Sequence, residues 1–208
     1  MNKALIAFLI ICSTNLFAQD KLAKDLIDKL SETTKSYKNM IVSFDFVFEN
    51  KKMGINEKQK GVLELQKEMF RLEMEGQTII NDGENQWIYL ADVNEVQIME
   101  HDPEDQMMSP NKLFTIYEEG YKYNYVGSKI EKGKDLQIID LFPEQSGAFM
   151  KISLEINANR NQLHKITIHD KNGGTYSYLI SSFKSNTVLA PITFNSDYYK
   201  DVEIIDLR

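Results

Sequence analysis

The sequence predicts a mainly β fold with some α: a single antiparallel sheet that curls, with helices against its concave side. Three observations lead there. About ten short apolar runs recur at near-regular spacing along the 208 residues, most of them with period-two alternation. Turn chemistry separates them, above all Asp82-Gly83 and Asp170-Lys171-Asn172-Gly173-Gly174. Helical patterning is confined to two stretches, one at the start and one midway. A wide sheet with an apolar side must be covered, and those helices are the cover at hand.

Residues 1–18 read as a signal peptide rather than fold. Lys3 supplies the positive start, Ala4 to Cys12 the apolar centre, and Leu16-Phe17-Ala18 a small residue at a cleavage point near Ala18. The apolar run is too short to span a bilayer. Cys12 is the single cysteine and leaves with this segment. Ile10 and Ile11 precede it, where a lipoprotein anchor wants small residues. Residues 19–208 are therefore expected to form one exported domain without disulfides, held by its core.

Asp20 to Tyr37 is expected to be a helix, with Leu22, Leu26 and Leu30 recurring at four and Ala23 and Ile27 beside them. Phe44, Phe46 and Phe48 then alternate with Ser43, Asp45, Val47 and Glu49 in a strand, and Met53 to Asn56 turns the chain. Gly61 to Tyr89 is the organising stretch. Val62, Leu63 and Leu65, then Phe70, Leu72 and Met74 alternating with Arg71, Glu73 and Glu75, then Ile79, Ile80, Trp87 and Tyr89 around Asp82-Gly83, predict a meander with one apolar and one charged face.

Val96 and Ile98 mark a further strand. His101 to Ser109 is a charged loop with Met107 and Met108 at its end. Ser109-Pro110 is a helix start, Leu113, Phe114 and Tyr117 give that short helix an apolar face, and Gly120 ends it. Strands follow at Tyr121 to Val126, Leu136 to Leu141, Met150 to Ile156, Leu163 to Ile168 and Tyr176 to Ile180. Two last apolar runs are Pro191 to Phe194 and Val202 to Leu207.

Charge and residue chemistry limit what such a chain does. Lysine and arginine total 24 against 31 aspartates and glutamates, a net charge of -7 with no basic cluster, which argues against nucleic acid and anionic lipid surfaces. No side chains assemble into a catalytic set: Gly-x-Ser-x-Gly and His-Glu-x-x-His are absent, and Asn172-Gly173-Gly174 lies between strands, not before a helix. His164 and His169 are expected on opposite faces of their strand, which disfavours a shared metal, and His101 sits in a solvated acidic loop. No cofactor is called for. What stands out is apolar surface: phenylalanine, tyrosine, and Met69, Met74, Met99, Met107, Met108 and Met150 on or beside strands. Methionine suits surfaces that meet variable apolar partners as well as ordinary cores.

Taken in order, these pieces resemble the periplasmic lipoprotein carrier family, LolA-like. The Leu-rich opening helix and Phe44-Phe46 strand, Gly61-x-Leu63, Phe70-Arg71-Leu72, Asp82-Gly83 with Trp87-x-Tyr89, Ser109-Pro110 with Leu113-Phe114, and the closing Ile-Asp-Leu-Arg carry the likeness. It implies an incomplete antiparallel β-barrel whose mouth is closed by helices as a lid. It implies a periplasmic, non-enzymatic chaperone that takes acylated lipoproteins from an inner-membrane lipoprotein-releasing ABC transporter to an outer-membrane acceptor, acting as a monomer. Phe44, Phe46, Phe48, Leu65, Phe70, Leu72, Trp87 and Tyr89 are then expected to line the lipid cavity. Lys67 stands where the family uses a lid-holding arginine, with Arg71 as a second lid contact; lysine brings a point charge without the planar fork. Phe70 falls where the family has a cargo-handover residue. The alternative is a lipid-binding or lipoprotein-sensing module of the same half-barrel fold.

Overall fold

Period-two alternation becomes strand almost everywhere the sequence shows it. The computed structural model describes residues 21–100, 110–199 and 201–208. The expected signal segment, the expected His101–Ser109 loop and the expected Ser109 cap lie outside them. The chain is mostly β, and its twelve strands join in one open order, β12-β6-β5-β4-β3-β2-β1-β11-β10-β9-β8-β7. These are β1 Met40–Asn50, β2 Ile55–Gln66, β3 Met69–Met74, β4 Gln77–Asn81, β5 Asn85–Leu90, β6 Glu95–Glu100, β7 Tyr121–Glu131, β8 Lys134–Pro143, β9 Phe149–Asn157, β10 Gln162–Asp170, β11 Gly174–Ser185 and β12 Glu203–Asp206. Pairing is antiparallel except at β12, which runs parallel to β6. No described helix is long and apolar enough to cross a membrane.

The chain divides into two compact units: residues up to Thr34 with Tyr117–Thr175, and Lys35–Ile116 with Tyr176–Arg208. In the first, helix α1 covers residues 21–35. Its buried stripe is Ala23, Ile27 and Leu30, while Leu22 is 42% exposed, so the apolar face is rotated from the Leu22-Leu26-Leu30 line expected. Spacing at four and then three tracks the 3.6-residue turn better than repeated fours do. Two side-chain bonds tie the helix end: Ser31 Oγ donates to Glu118 Oε1 at 2.6 Å, and the hydroxyls of Thr34 and Tyr117 lie 3.2 Å apart.

The rest of this unit is a ladder with an aliphatic face. Leu141 pairs with Ile152 and Ile152 with Ile168; Ile139 pairs with Leu154 and Leu154 with Ile166; all are 0–2% exposed. The other face carries Asp140, which receives Lys151 at 2.8 Å and Ser153 Oγ at 2.6 Å. A bulge between Leu163 and Lys165 breaks the alternation at His164. The five-residue spacing that predicted opposite faces for His164 and His169 therefore does not hold; bulges insert one residue and flip the parity after it. The two rings have separate neighbours, Lys134 for one and Thr175 for the other. Among the described residues no three His, Cys, Asp or Glu converge as metal ligands.

In the second unit β1 to β6 form the meander. The second helical stretch is one short 3-10 helix, Pro110–Phe114, packed against β3 with Phe114 buried. An α-helix reaching Gly120 was expected; turns replace it. The end of β11 is anchored to the chain before β1, where Asn39 bonds Thr187 N at 2.9 Å and Thr187 O at 2.8 Å.

Candidate functional site: an aromatic row on one face of the meander

Cross-strand partners share a face, so register alone sorts the side chains. Met40, Leu65, Phe70 and Asn81 make one line across β1 to β4; Val42, Leu63, Leu72 and Ile79 make the next; Phe44, Gly61 and Met74 the third. Phe46 and Phe48 continue along β1 on the same side. Six expected lining residues, Phe44, Phe46, Phe48, Leu65, Phe70 and Leu72, therefore come together. Leu65, Phe70 and Phe44 are buried, Leu72 is half-buried, and so are Phe46 and Phe48 toward the far end of β1.

Neighbouring β11 completes the row. Tyr178 sits 5.7 Å from Phe44 and 5.0 Å from Phe46, ring centre to ring centre, and Tyr176 stacks on Phe48 at 4.7 Å. Such contacts stabilise the row beyond area burial, by ~0.5–1.5 kcal/mol per pair. Burial pushes the Tyr178 phenol up to about 12. Neither tyrosine was a site residue by sequence; the signal available was the Tyr176-x-Tyr178 alternation, but pairing between strands 130 residues apart is not visible in a linear reading. Gly61 has a steric role in this row: a methyl on its Cα would overlap the far end of the Phe44 ring, which lies across the glycine.

Trp87 and Tyr89 are placed differently from the expectation. Trp87 pairs with Ile80, Ile80 with Arg71 and Arg71 with Glu64, while Tyr89 pairs with Thr78, Thr78 with Glu73 and Glu73 with Val62; both lines lie on the opposite face. The pairing of Asn81 with Gln86 sets this parity. Asp82 Oδ1 accepts from Glu84 N and Asn85 N, Asn81 Oδ1 accepts from Gly83 N, and Asp82 N donates to Asn85 O, so four residues separate the paired Asn81 and Gln86. Nor is that second face simply charged. The C-terminal segment covers it: Trp87 stacks on Phe194 at 5.6 Å, Phe194 on Tyr199 at 5.0 Å, and Tyr199 meets Tyr89 at 5.0 Å, with Ile80, Val96 and Ile192 buried. These aromatics join segment to sheet.

The two expected lid contacts also part. Lys67 occupies the exposed two-residue turn between β2 and β3, with φ 57°. Arg71 pairs with Glu64 at 2.8 Å and donates to Pro191 O at 2.9 Å, so it fastens the C-terminal segment. Its fork suits this double use, one arm on a carboxylate and one on a carbonyl.

The aromatic row presents apolar rings, a surface suited to apolar contact. The chain is similar to several solved structures, two of them with TM-scores above 0.5. An uncharacterized conserved protein from Thermus thermophilus is 12% identical with a TM-score of 0.57, covering 88% of this chain and 98% of that one. The Mycobacterium tuberculosis lipoprotein LppX is 13% identical with a TM-score of 0.54, covering 83% and 100%. A LolA superfamily protein from Nitrosomonas europaea is 13% identical with a TM-score of 0.44, covering 85% and 98%. No curated protein matches the chain. Residues 35–197, by contrast, match the family of the outer membrane lipoprotein carrier protein LolA, and the chain belongs to that family.

Proposed function

We propose that this protein binds the acyl chains of lipoproteins along the Phe44-Phe46-Phe48 face and carries them through the periplasm. Cargo would pass from an inner-membrane lipoprotein-releasing ABC transporter to an outer-membrane acceptor. The observation that carries this reading is the half-buried end of the aromatic row: Phe46, Phe48, Tyr176 and Tyr178 keep apolar area in reach of solvent in a chain of the lipoprotein carrier family. Each methylene laid against such a surface contributes ~0.8 kcal/mol, so binding strength follows chain length rather than polar contacts. No bond of the cargo needs to change, and the protein acts as a carrier rather than an enzyme. On this reading Leu65, Phe70 and Leu72 form the deep end of the path, and the exposed Lys67 in the adjoining turn meets a charged group of the cargo.

Two measurements test this. Mass spectrometry of lipid co-purified with the exported protein should find acylated species. A fluorescent fatty-acyl probe should bind wild type and bind Phe46→Glu/Phe48→Glu at least about a hundredfold more weakly. Equal binding by the variant would remove this face as the site. Phe70→Glu is less informative, because Phe70 is 0% exposed and its loss disturbs the fold.

A further inference from the structure

The last β2–β3 pair is Gly61 with Met74, yet β2 runs on through Ile55–Lys60 with β1 on one side and, among the described residues, no strand on the other. Gln66 and Met69 close the β2–β3 turn. Hydrogen-bonding direction alternates along a strand, so counting back in twos from Gln66, the N–H and C=O groups that face away from β1 belong to Lys60, Lys58 and Asn56. Beside this edge a groove of about 480 Å³ runs over the β1–β2 ladder, lined by Lys58, Gln59 and Lys60 with Glu75 of the β3–β4 turn, and by Asp45, Phe46 and Val47 of β1.

The β2 end itself carries charge opposite to that of the chain, with Asp45 and Glu75 as the acids beside it. Residues 51–60 hold Lys51, Lys52, Lys58 and Lys60 against the single acid Glu57, in a protein of net charge -7. All four lysines are exposed, and among the described residues none is in an ion pair. An open strand edge is a template for another strand, and edge lysines repel casual partners while admitting acidic ones.

We propose that the Ile55–Lys60 edge of β2 takes up an extended acidic segment of a partner protein as an added strand. Backbone bonds to Asn56, Lys58 and Lys60 would give affinity, and acids opposite Lys58 and Lys60 would give selectivity. A second copy offers the same positive edge, and two such edges repel. An anionic bilayer would meet the lysines but leaves the backbone row unanswered. This inference does not rest on the carrier reading.

The test uses the full exported chain and a fluorescein-labelled eight-residue peptide of alternating glutamate and valine, with phosphatidylglycerol vesicles and sedimentation as parallel arms. Peptide should bind, slow amide exchange at Asn56, Lys58 and Lys60, and lose affinity at least about tenfold in Lys58→Pro, which removes one edge donor without touching the β1 ladder. Lys58→Glu/Lys60→Glu should lose a similar factor and most of its salt dependence. Acyl-probe binding should be unchanged in both variants, which separates this edge from the aromatic face. Equal peptide affinity in Lys58→Pro would mean charge alone and overturn the added strand. So would absent peptide binding, vesicle binding in its place, or self-association lost in Lys58→Pro.

Discussion

The two ladders of this protein use the same alternation and reach opposite ends. Across β8, β9 and β10 the buried side chains are aliphatic, and Leu141, Ile139, Ile152, Leu154, Ile166 and Ile168 close on one another at 0–2% exposure. Along β1 and β11 they are rings, and the row from Phe44 to Phe48 opens as it goes: Phe44 is 6% exposed, while Phe46, Phe48, Tyr176 and Tyr178 stay half-buried. Branched aliphatics interdigitate and leave no surface to share. Large flat rings meet in stacked, tilted and T-shaped pairs and here stay partly open to solvent. One ladder is there to hold the fold, and the other is where binding is sought.

Substitutions should split along that line. The largest loss of stability is expected from Leu154→Ala in the closed ladder, about 2–5 kcal/mol by denaturant unfolding, with the remaining folded protein binding acyl probe as before. Gly61→Val comes next. Its side chain would displace the Phe44 ring, costing about 1–3 kcal/mol and, unlike Leu154→Ala, changing acyl-probe affinity in the folded protein. Arg71→Ala should cost about 1 kcal/mol by releasing Glu64 and Pro191 O, and should raise proteolytic nicking of the C-terminal segment while leaving the aromatic row intact.

The smallest effect is a pH limb. Tyr178 is held protonated in the fold up to about 12, against 10.0 for the ordinary phenol, so the folded state binds its proton more tightly. Its contribution is complete below pH 10 and is lost as pH rises toward 12, and Tyr178→Phe should flatten that part of the stability curve. His164 and His169 act in the other direction, since burial lowers both. Stability they contribute is present above the ordinary histidine value of 6.5 and falls as pH drops below it.

Much of this was legible in the residues. Alternation placed the strands, Asp82-Gly83 and Asn172-Gly173-Gly174 placed turns, and Phe44, Phe46, Phe48, Leu65, Phe70 and Leu72 fell on one face as expected. What failed did so where a single residue shifts parity or where a distant segment intervenes. The pairing of Asn81 with Gln86 put Trp87 and Tyr89 on the other face, and a bulge shifted the parity at His164. Leu22 lost its place because repeated fours drift off a helix stripe. The C-terminal segment turned a face read as charged into one buried under Phe194 and Tyr199, and Arg71 to its fastening. Pairing of β1 with β11, which brings Tyr176 and Tyr178 to the site, depends on contacts that no local pattern encodes.

The central claim is that acyl chains lie on the open aromatic row and not in the closed ladder. A fatty acid carrying a nitroxide near its methyl end, added to isotope-labelled protein, tests this by paramagnetic broadening. Broadening concentrated at Phe46, Phe48, Tyr176 and Tyr178, with Ile152, Leu154 and Ile166 unaffected, is the result predicted. Broadening centred on Ile152 and Leu154, or none above that of free nitroxide, would contradict it.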